Sequence, residues 1–439
     1  MIFNYFILYV LGLADFGAGM YIRRQQSCSS INIRKEVREL SDTEWQEVVK
    51  AVNIMDKYGW FHWFAFTHVH FFNEIHLFPE FFPWHRRFIQ EFESVAQHYC
   101  PTFALPYFDP TLDFADPAKS VLFTSKYMGG DGGSTSQCVN DGPQANWEMT
   151  YPDNHCLKRE FMFSSDPSNS IFWISPEVLL SGMQTSTDYR TFQNTIELGI
   201  HAIIHTTIGG DMVEMYSPND FFFFLHHANI DRLWSEWQKL DASHLLQYIN
   251  DPGKPPVSLT DTLTGFPDLV EDLMVLGQNQ NCFAYSTQQS ISSKRSSSDS
   301  SIPNTSITKT LSPNSLKKYF PKLNPNNSNS FPIKLPKPLT DNSELISSLV
   351  PDTTSLQPFQ PIVGITNITD SPTVNAISPS TLAIISKTPD KLAMPYPARL
   401  PDSFISMHGI SIDKYNALYS HMTGLIDTLN DQGYISPYI

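Results

Sequence analysis

The sequence predicts a mainly α protein: a four-helix bundle holding a dinuclear metal site, with long irregular loops and a C-terminal extension. Two observations carry this. Apolar residues recur at helical spacing in five stretches between residues 41 and 240, and four of those stretches contain histidine. Within one of them, His201-Ala-Ile-Ile-His205 places two imidazoles on the same helix face, one turn apart. Four helices with ligands facing inward form a bundle whose core can hold metal.

The elements follow in order. Ser41-Asp-Thr-Glu44 is a capping box that opens the first helix. Trp45, Val48, Val49, Val52 and Met55 then repeat along one face until Gly59. A second helix holds His68 and ends before Pro79. A third begins near Trp84 and carries Phe88, Phe92 and Val95. Residues 100–190 are rich in Gly, Pro and Asp and predict long loops with little regular structure. A fourth helix carries Ile196, Ile200, Ile203 and Ile204 and stops at Gly209-Gly210. The fifth starts at the cap residues Asn219-Asp220 and carries His227, Ile230, Trp234 and Trp237. After Tyr285 the chain turns rich in Ser, Pro, Thr and Asn, the composition of a linker. A last helix spans Ile412 to Leu429, with Leu418, Met422, Leu425 and Leu429 on one face.

The histidines define two sets of nitrogen donors. His76 and His85, nine residues apart, need a third partner, for which His62, His68 and His70 are candidates. His201 and His205 need a third from the pair His226-His227. Two three-histidine sites without carboxylates suit copper better than magnesium, calcium or di-iron. Neutral imidazole is a good ligand for both copper oxidation states.

The strings around these histidines resemble the copper A and copper B signatures of the tyrosinase family of type 3 copper proteins. That family includes tyrosinases, catechol oxidases and molluscan haemocyanins. PEFFPWHRRFIQEFE is similar to the copper A helix. ELGIHAIIHTTIGGDM and SPNDFFFFLHHANIDRLWSEWQ are similar to the copper B pair. LPYFDPTLD resembles the segment between them, with Phe108 and Pro110 where two Trp are usual. The resemblance runs from about Arg34 to Tyr285, with a weaker patch near the C-terminus. It implies His68, His76 and His85 for one copper ion and His201, His205 and His227 for the other. His68 is chosen because Phe64-Ala-Phe-Thr-His68-Val looks like the short fungal members. The resemblance also implies that Arg34 meets the aromatic pair Phe283 and Tyr285, joining the two ends of the domain. It implies oxidation of phenols and o-diphenols to o-quinones by O2; the alternative is haemocyanin-like reversible O2 binding.

Residues beside the ligands fill out the expectation. Glu197 stands four residues before His201, on the same face, and either anchors water or a ligand or is a surface carboxylate. Ala202 occupies the position after the first copper B histidine, where many tyrosinases have Asn. Met215, in the loop 211–217, is expected at the pocket mouth. His98, His155, His244, His408 and His421 lack such context and are read as structural or exposed.

Composition bounds the rest. The net charge of −15 and the lack of a basic stripe argue against nucleic-acid partners. The expected partners are a small phenol and O2. Residues 1–19 read as a signal peptide, without a basic start and interrupted by Asp15, so the chain is expected to be secreted and free of membrane after its removal. The domain reading is then 20–286 catalytic, 287–385 linker and 386–439 C-terminal segment with one helix. Of five cysteines, Cys138 and Cys156 bracket a polar loop and are expected to form a disulfide, and one cysteine must stay unpaired.

Overall fold

The computed structural model describes residues 27–133, 137–163, 170–286, 307–323 and 393–439. The expected signal peptide and most of the expected linker lie outside these residues. The long helices follow the sequence pattern. Helix α1 (Asp42–Lys57) opens with the capping box: Glu44 N–H donates to Ser41 Oγ (3.2 Å), and Ser41 N–H donates to Glu44 Oε2 (2.8 Å). Gly59 (φ 77°) then turns the chain into α2 (Trp60–Ile75). Phe61, Phe64, Ala65, His68, Phe72 and Ile75 are buried along α2, which is the spacing of a single helix face. Helix α3 (Phe81–Tyr99) starts three residues before Trp84, because Pro83 is tolerated in a first turn, where its missing N–H has no intrahelical partner.

Between residues 100 and 190 the chain runs through short 3₁₀ turns and one small antiparallel pair, β2 (Glu148–Met149) with β3 (His155–Cys156). The expectation of loops fails at its end. Residues Pro176–Thr185 form α4, capped by Ser175 with Pro at the first position. Helix α5 (Tyr189–Thr195) follows, then a π-helical stretch over Ile196–His201 and α6 (Ala202–Ile208). The predicted fourth helix is therefore wound in two registers, with Gly199 (φ −95°, ψ −110°) at the change. Helix α7 (Phe221–Leu240) is capped by Asp220 and buried from Phe221 to Gln238. A helix buried on every side is a core helix. Its Phe224 stacks on Phe92 of α3 at 3.7 Å and meets Phe64 of α2 edge-on at 5.3 Å.

Two short helices, α8 (Ile307–Thr310) and α9 (Pro313–Tyr319), lie within the stretch read as linker. Ile307, Leu311, Tyr319 and Phe320 are buried, so a helical apolar pattern outweighs the local Ser and Lys content. Ser181 Oγ of α4 donates to the Tyr319 carbonyl (2.8 Å). The C-terminal segment holds α10 (Asp402–Met407) and α11 (Ile412–Asp431), one helix more than expected. Met422, Leu425 and Leu429 of α11 are buried as its periodicity predicts. No helix among the described residues is long and apolar enough to cross a membrane.

The ends of the catalytic core are tied together. Strand β1 (Asn32–Arg34) pairs in parallel with β4 (Phe283–Tyr285), and a Cys28–Cys282 disulfide, absent from the sequence-based expectation, lies beside them. Cys138 pairs with Cys156 as expected, and Cys100 is free and buried. The Arg34 guanidinium lies 3.6 Å above the Phe283 ring, as the resemblance implied. It also donates to Tyr285 Oη (3.0 Å) and Glu93 Oε2 (2.6 Å). Asp231 takes the other side, accepting from Tyr285 Oη and from Arg86 Nε, while Arg86 lies 3.9 Å over Trp234. Arg34 and Arg86 are both fully buried, and each satisfies the buried carboxylates that satisfy it.

Removing one member of this cluster strands its partners. Arg34→Ala is expected to destabilise the fold by about 3–5 kcal/mol, the cost of an uncompensated buried charge. Urea unfolding followed by tryptophan fluorescence measures it. A loss under about 1 kcal/mol would show that water reaches Glu93 and that the cluster is not a closed unit.

Candidate metal centre

Helix α2 carries His68, and His76 follows directly at its C-cap. His85 stands in the second turn of α3. Their donor nitrogens lie within 4.8 Å of one another. His201 ends the π-helical stretch, His205 follows on α6, and His226 and His227 sit side by side on α7. The donors of His201, His205 and His226 also lie within 4.8 Å of one another. His227 borders both groups: its Nε2 is 3.4 Å from His205 Nε2, and its ring stacks on His85 at 4.3 Å. The other two candidates for the first group stand apart. His62 is exposed and bonds Thr150 Oγ1, and His70 is exposed and stacks on Phe66.

The backbone fixes how these rings point. A carbonyl only accepts, so a ring nitrogen bonded to one must carry the proton. The Nδ1 atoms of His68, His76, His85, His201 and His205 donate to the carbonyls of Met215 (2.6 Å), Phe72 (3.3 Å), Phe81 (2.7 Å), Glu197 (3.2 Å) and Met212 (2.6 Å). Their Nε2 atoms keep the lone pair. Those of His68, His85 and His201 are buried with no hydrogen-bond partner. Burial pushes the His68 pKa down to about 3 and that of His205 to about 4, and holds His76, His85, His201 and His227 well below the ordinary value. The centre is thus a cluster of neutral imidazoles with unpartnered lone pairs turned inward.

Three comparisons with known proteins bear on this geometry. The common central domain of tyrosinase matches residues 53–240. A tyrosinase of Streptomyces antibioticus is 30% identical over 260 residues, which cover 54% of this chain and 94% of the relative. The chain belongs to the tyrosinase family. A tyrosinase-like protein of Diaporthe leptostromiformis is 30% identical over 262 residues, or 52% of this chain and 67% of its own. A solved polyphenol oxidase from Thermothelomyces thermophila shares the fold, with a TM-score of 0.50 and 23% identity over 58% of this chain and 88% of that one.

Membership implies a dinuclear copper site and oxidoreductase chemistry, and the donor set fits. Nitrogen donors without carboxylates suit copper, and unpaired buried nitrogens are stable only once a cation or donor meets them. The surroundings were legible in part. Glu197 is buried, with Oε1 accepting from Leu77 N–H (2.7 Å) and Oε2 from Gln193 Nε2 (2.8 Å). Burial raises its pKa to about 7. With Ala202 it lines a small cavity beside His76 and His201. Met215 acts through its backbone, as the acceptor for His68. His408, read from the sequence as structural or exposed, lies against this cavity instead. No motif surrounds it, and it joins the site from a separate segment of the chain.

One loop serves both histidine groups. Residues 210–219 supply the Met212 carbonyl to His205 and the Met215 carbonyl to His68. Asp211 holds that loop, accepting from His155 Nε2 (2.9 Å), Asn219 Nδ2 (3.0 Å) and Lys158 N–H (3.2 Å). Asp211→Ala is therefore expected to weaken copper binding by about 10–100-fold with every histidine intact. Competition with a chelator of known affinity measures this. Unchanged affinity would mean that the loop keeps its place without Asp211.

Proposed function

We propose that the chain is a copper-dependent oxidase that converts phenols and o-diphenols to o-quinones with O2. One copper ion is held by His68, His76 and His85, and the other by His201, His205 and His227. The supporting observation is the cluster of buried imidazoles, in which His68, His85 and His201 leave Nε2 without a hydrogen-bond partner. His227 Nε2 lies 3.4 Å from His205 Nε2 and His226 stands with His201 and His205, so the choice of His227 rests on the family resemblance.

Copper, when bound, supplies the electron transfer between the phenol and O2. The protein does the rest. Backbone carbonyls hold the rings in one tautomer. Phe72, Phe81 and Phe223 pack against the imidazoles and keep water away from them. Glu197 is the carboxylate placed to take a proton at the cavity wall, although both its oxygens already accept hydrogen bonds.

Metal analysis should find about two coppers per chain, and a catechol should drive continuous O2 uptake. His227→Ala should leave one copper and abolish uptake, while His226→Ala should retain both metals. The reverse pattern would make His226 the ligand. Reversible O2 binding without turnover would replace the oxidase reading with that of a carrier.

Ala202 sets the substrate preference. A methyl group cannot orient a water to take the proton of a monophenol. A catechol is more acidic and suffers less. The expected result is a monophenol rate below the matching catechol rate by roughly 10²-fold or more, the typical worth of a positioned base. Ala202→Asn should raise the ratio of the two rates. An unchanged ratio in Ala202→Asn would remove Ala202 from the account.

A further inference from the structure

Of the six histidines placed around the metal centre, five stand on helices. His76 does not. It follows the last residue of α2 with an extended backbone (φ −100°, ψ 142°). Its Nδ1 bond to the Phe72 carbonyl is 3.3 Å long, against 2.6–3.2 Å for the other four rings that donate to a carbonyl. The next residue, Leu77, has a left-handed backbone (φ 61°), which a leucine adopts only at a cost. Helix formation therefore does not hold His76, and the turn that follows it needs partners of its own.

Those partners come from one helix face. Tyr189, Arg190, Gln193 and Glu197 follow one another at helical spacing along α5 and the π-helical stretch after it. All four are buried. Tyr189 Oη donates to the Pro79 carbonyl. Arg190 Nη2 donates to the Leu77 carbonyl (3.1 Å), and Gln193 Nε2 to the Phe78 carbonyl (2.7 Å). Glu197 Oε1 accepts from Leu77 N–H (2.7 Å). Three of these side chains also bind one another. Gln193 Nε2 gives its second hydrogen to Glu197 Oε2 (2.8 Å), and Gln193 Oε1 accepts from Arg190 Nη1 (2.5 Å). Asp251 holds the same guanidinium from outside, 3.0 Å from Nη2. Buried polar groups that satisfy each other in this way fix one geometry.

The same face ends in His201, whose Nδ1 donates to the Glu197 main-chain carbonyl (3.2 Å). Glu197 thus touches both halves of the centre. Its carboxylate holds the residue after His76, and its carbonyl orients His201. The His76 and His201 rings lie 5.9 Å apart, centroid to centroid.

We propose that Arg190 and Gln193 are positioning residues for His76. With Glu197 they clamp the turn 77–79 to the helix that carries His201, and so set the spacing between the two halves of the metal centre. This rests on the reading that the six histidines hold copper. Both residues act on His76 through the main chain of the turn. Without them Leu77 can leave its left-handed conformation, and His76 moves with it.

Cu(II) binding to two single-site variants tests the clamp without relying on turnover. His205→Ala should leave the copper held by His68, His76 and His85. His76→Ala should leave the copper held by His201, His205 and His227. Gln193→Leu roughly keeps the side chain's size and removes its hydrogen bonds. Added to His205→Ala, it should weaken copper binding by about 10–100-fold, the usual worth of a group that orients a ligand. Added to His76→Ala, it should leave the affinity unchanged. Circular dichroism checks that each variant folds. Where Gln193→Leu does not fold, Arg190→Lys takes its place: it keeps the charge beside Asp251 but lacks the fork that reaches both Leu77 and Gln193, and it should give the same pattern. A loss as large in the His76→Ala background, or none in the His205→Ala background, would overturn the clamp and leave the copper reading standing. A wild-type chain that binds no copper would overturn both.

Discussion

Five imidazoles in the centre give Nδ1 to a main-chain carbonyl, and the remaining core architecture keeps those carbonyls in place. Three of the carbonyls, those of Phe72, Phe81 and Glu197, come from four residues earlier in the chain. They are positioned simply because the helices form. The other two belong to the segment 210–219, whose regular structure is two 3₁₀ turns, Gly210–Val213 and Ser217–Asn219. There the protein uses side chains: Asp211 gathers His155, Asn219 and Lys158, and the β2–β3 hairpin that carries His155 is closed by the Cys138–Cys156 disulfide. The chemistry of the centre thus depends on a loop whose own support lies well outside it.

The same economy of partners holds in the scaffold. Glu93, Arg34, Asp231 and Arg86 form a buried row in which every charge faces an opposite one, and the aromatic faces of Phe283 and Trp234 cover the two guanidinium groups. Asp231 stands one turn after His227 on α7, and Arg86 directly follows His85 on α3. The row therefore fixes the relative rotation of the two helices that present ligands to opposite halves of the centre. Arg159 does similar work at the start of α7. It binds Asp220 through Nε (2.6 Å) and Nη2 (2.9 Å), while Asp220 caps the helix at Phe222 N–H.

The sequence showed the ligand helices because their signals are local. Apolar residues at helical spacing, a capping box at Ser41 and paired histidines one turn apart need no knowledge of the rest of the chain. The Arg34–Phe283 contact came from resemblance alone, since nothing local links residues 249 positions apart. Other features escaped, beyond the Cys28–Cys282 disulfide and the short helices after Tyr285. Helix α4 sits in a region whose Gly, Pro and Asp content argued for loops, although Ser175-Pro-Glu177 is a fair start signal. The register change at Gly199 depends on tertiary packing, which periodicity averages away. His408 reaches the centre from a separate segment, without a neighbouring motif, and its place there depends on how α10 and α11 dock.

The ring nitrogens of the centre make a physical demand of their own. A pocket of unpartnered ring nitrogens is costly when dry and empty, and chemically open when wet. A metal ion held by these nitrogens would satisfy the lone pairs. Phe404, His408 and Ile410 line the cavity beside His76 and His201, where the two apolar side chains limit the room left for water.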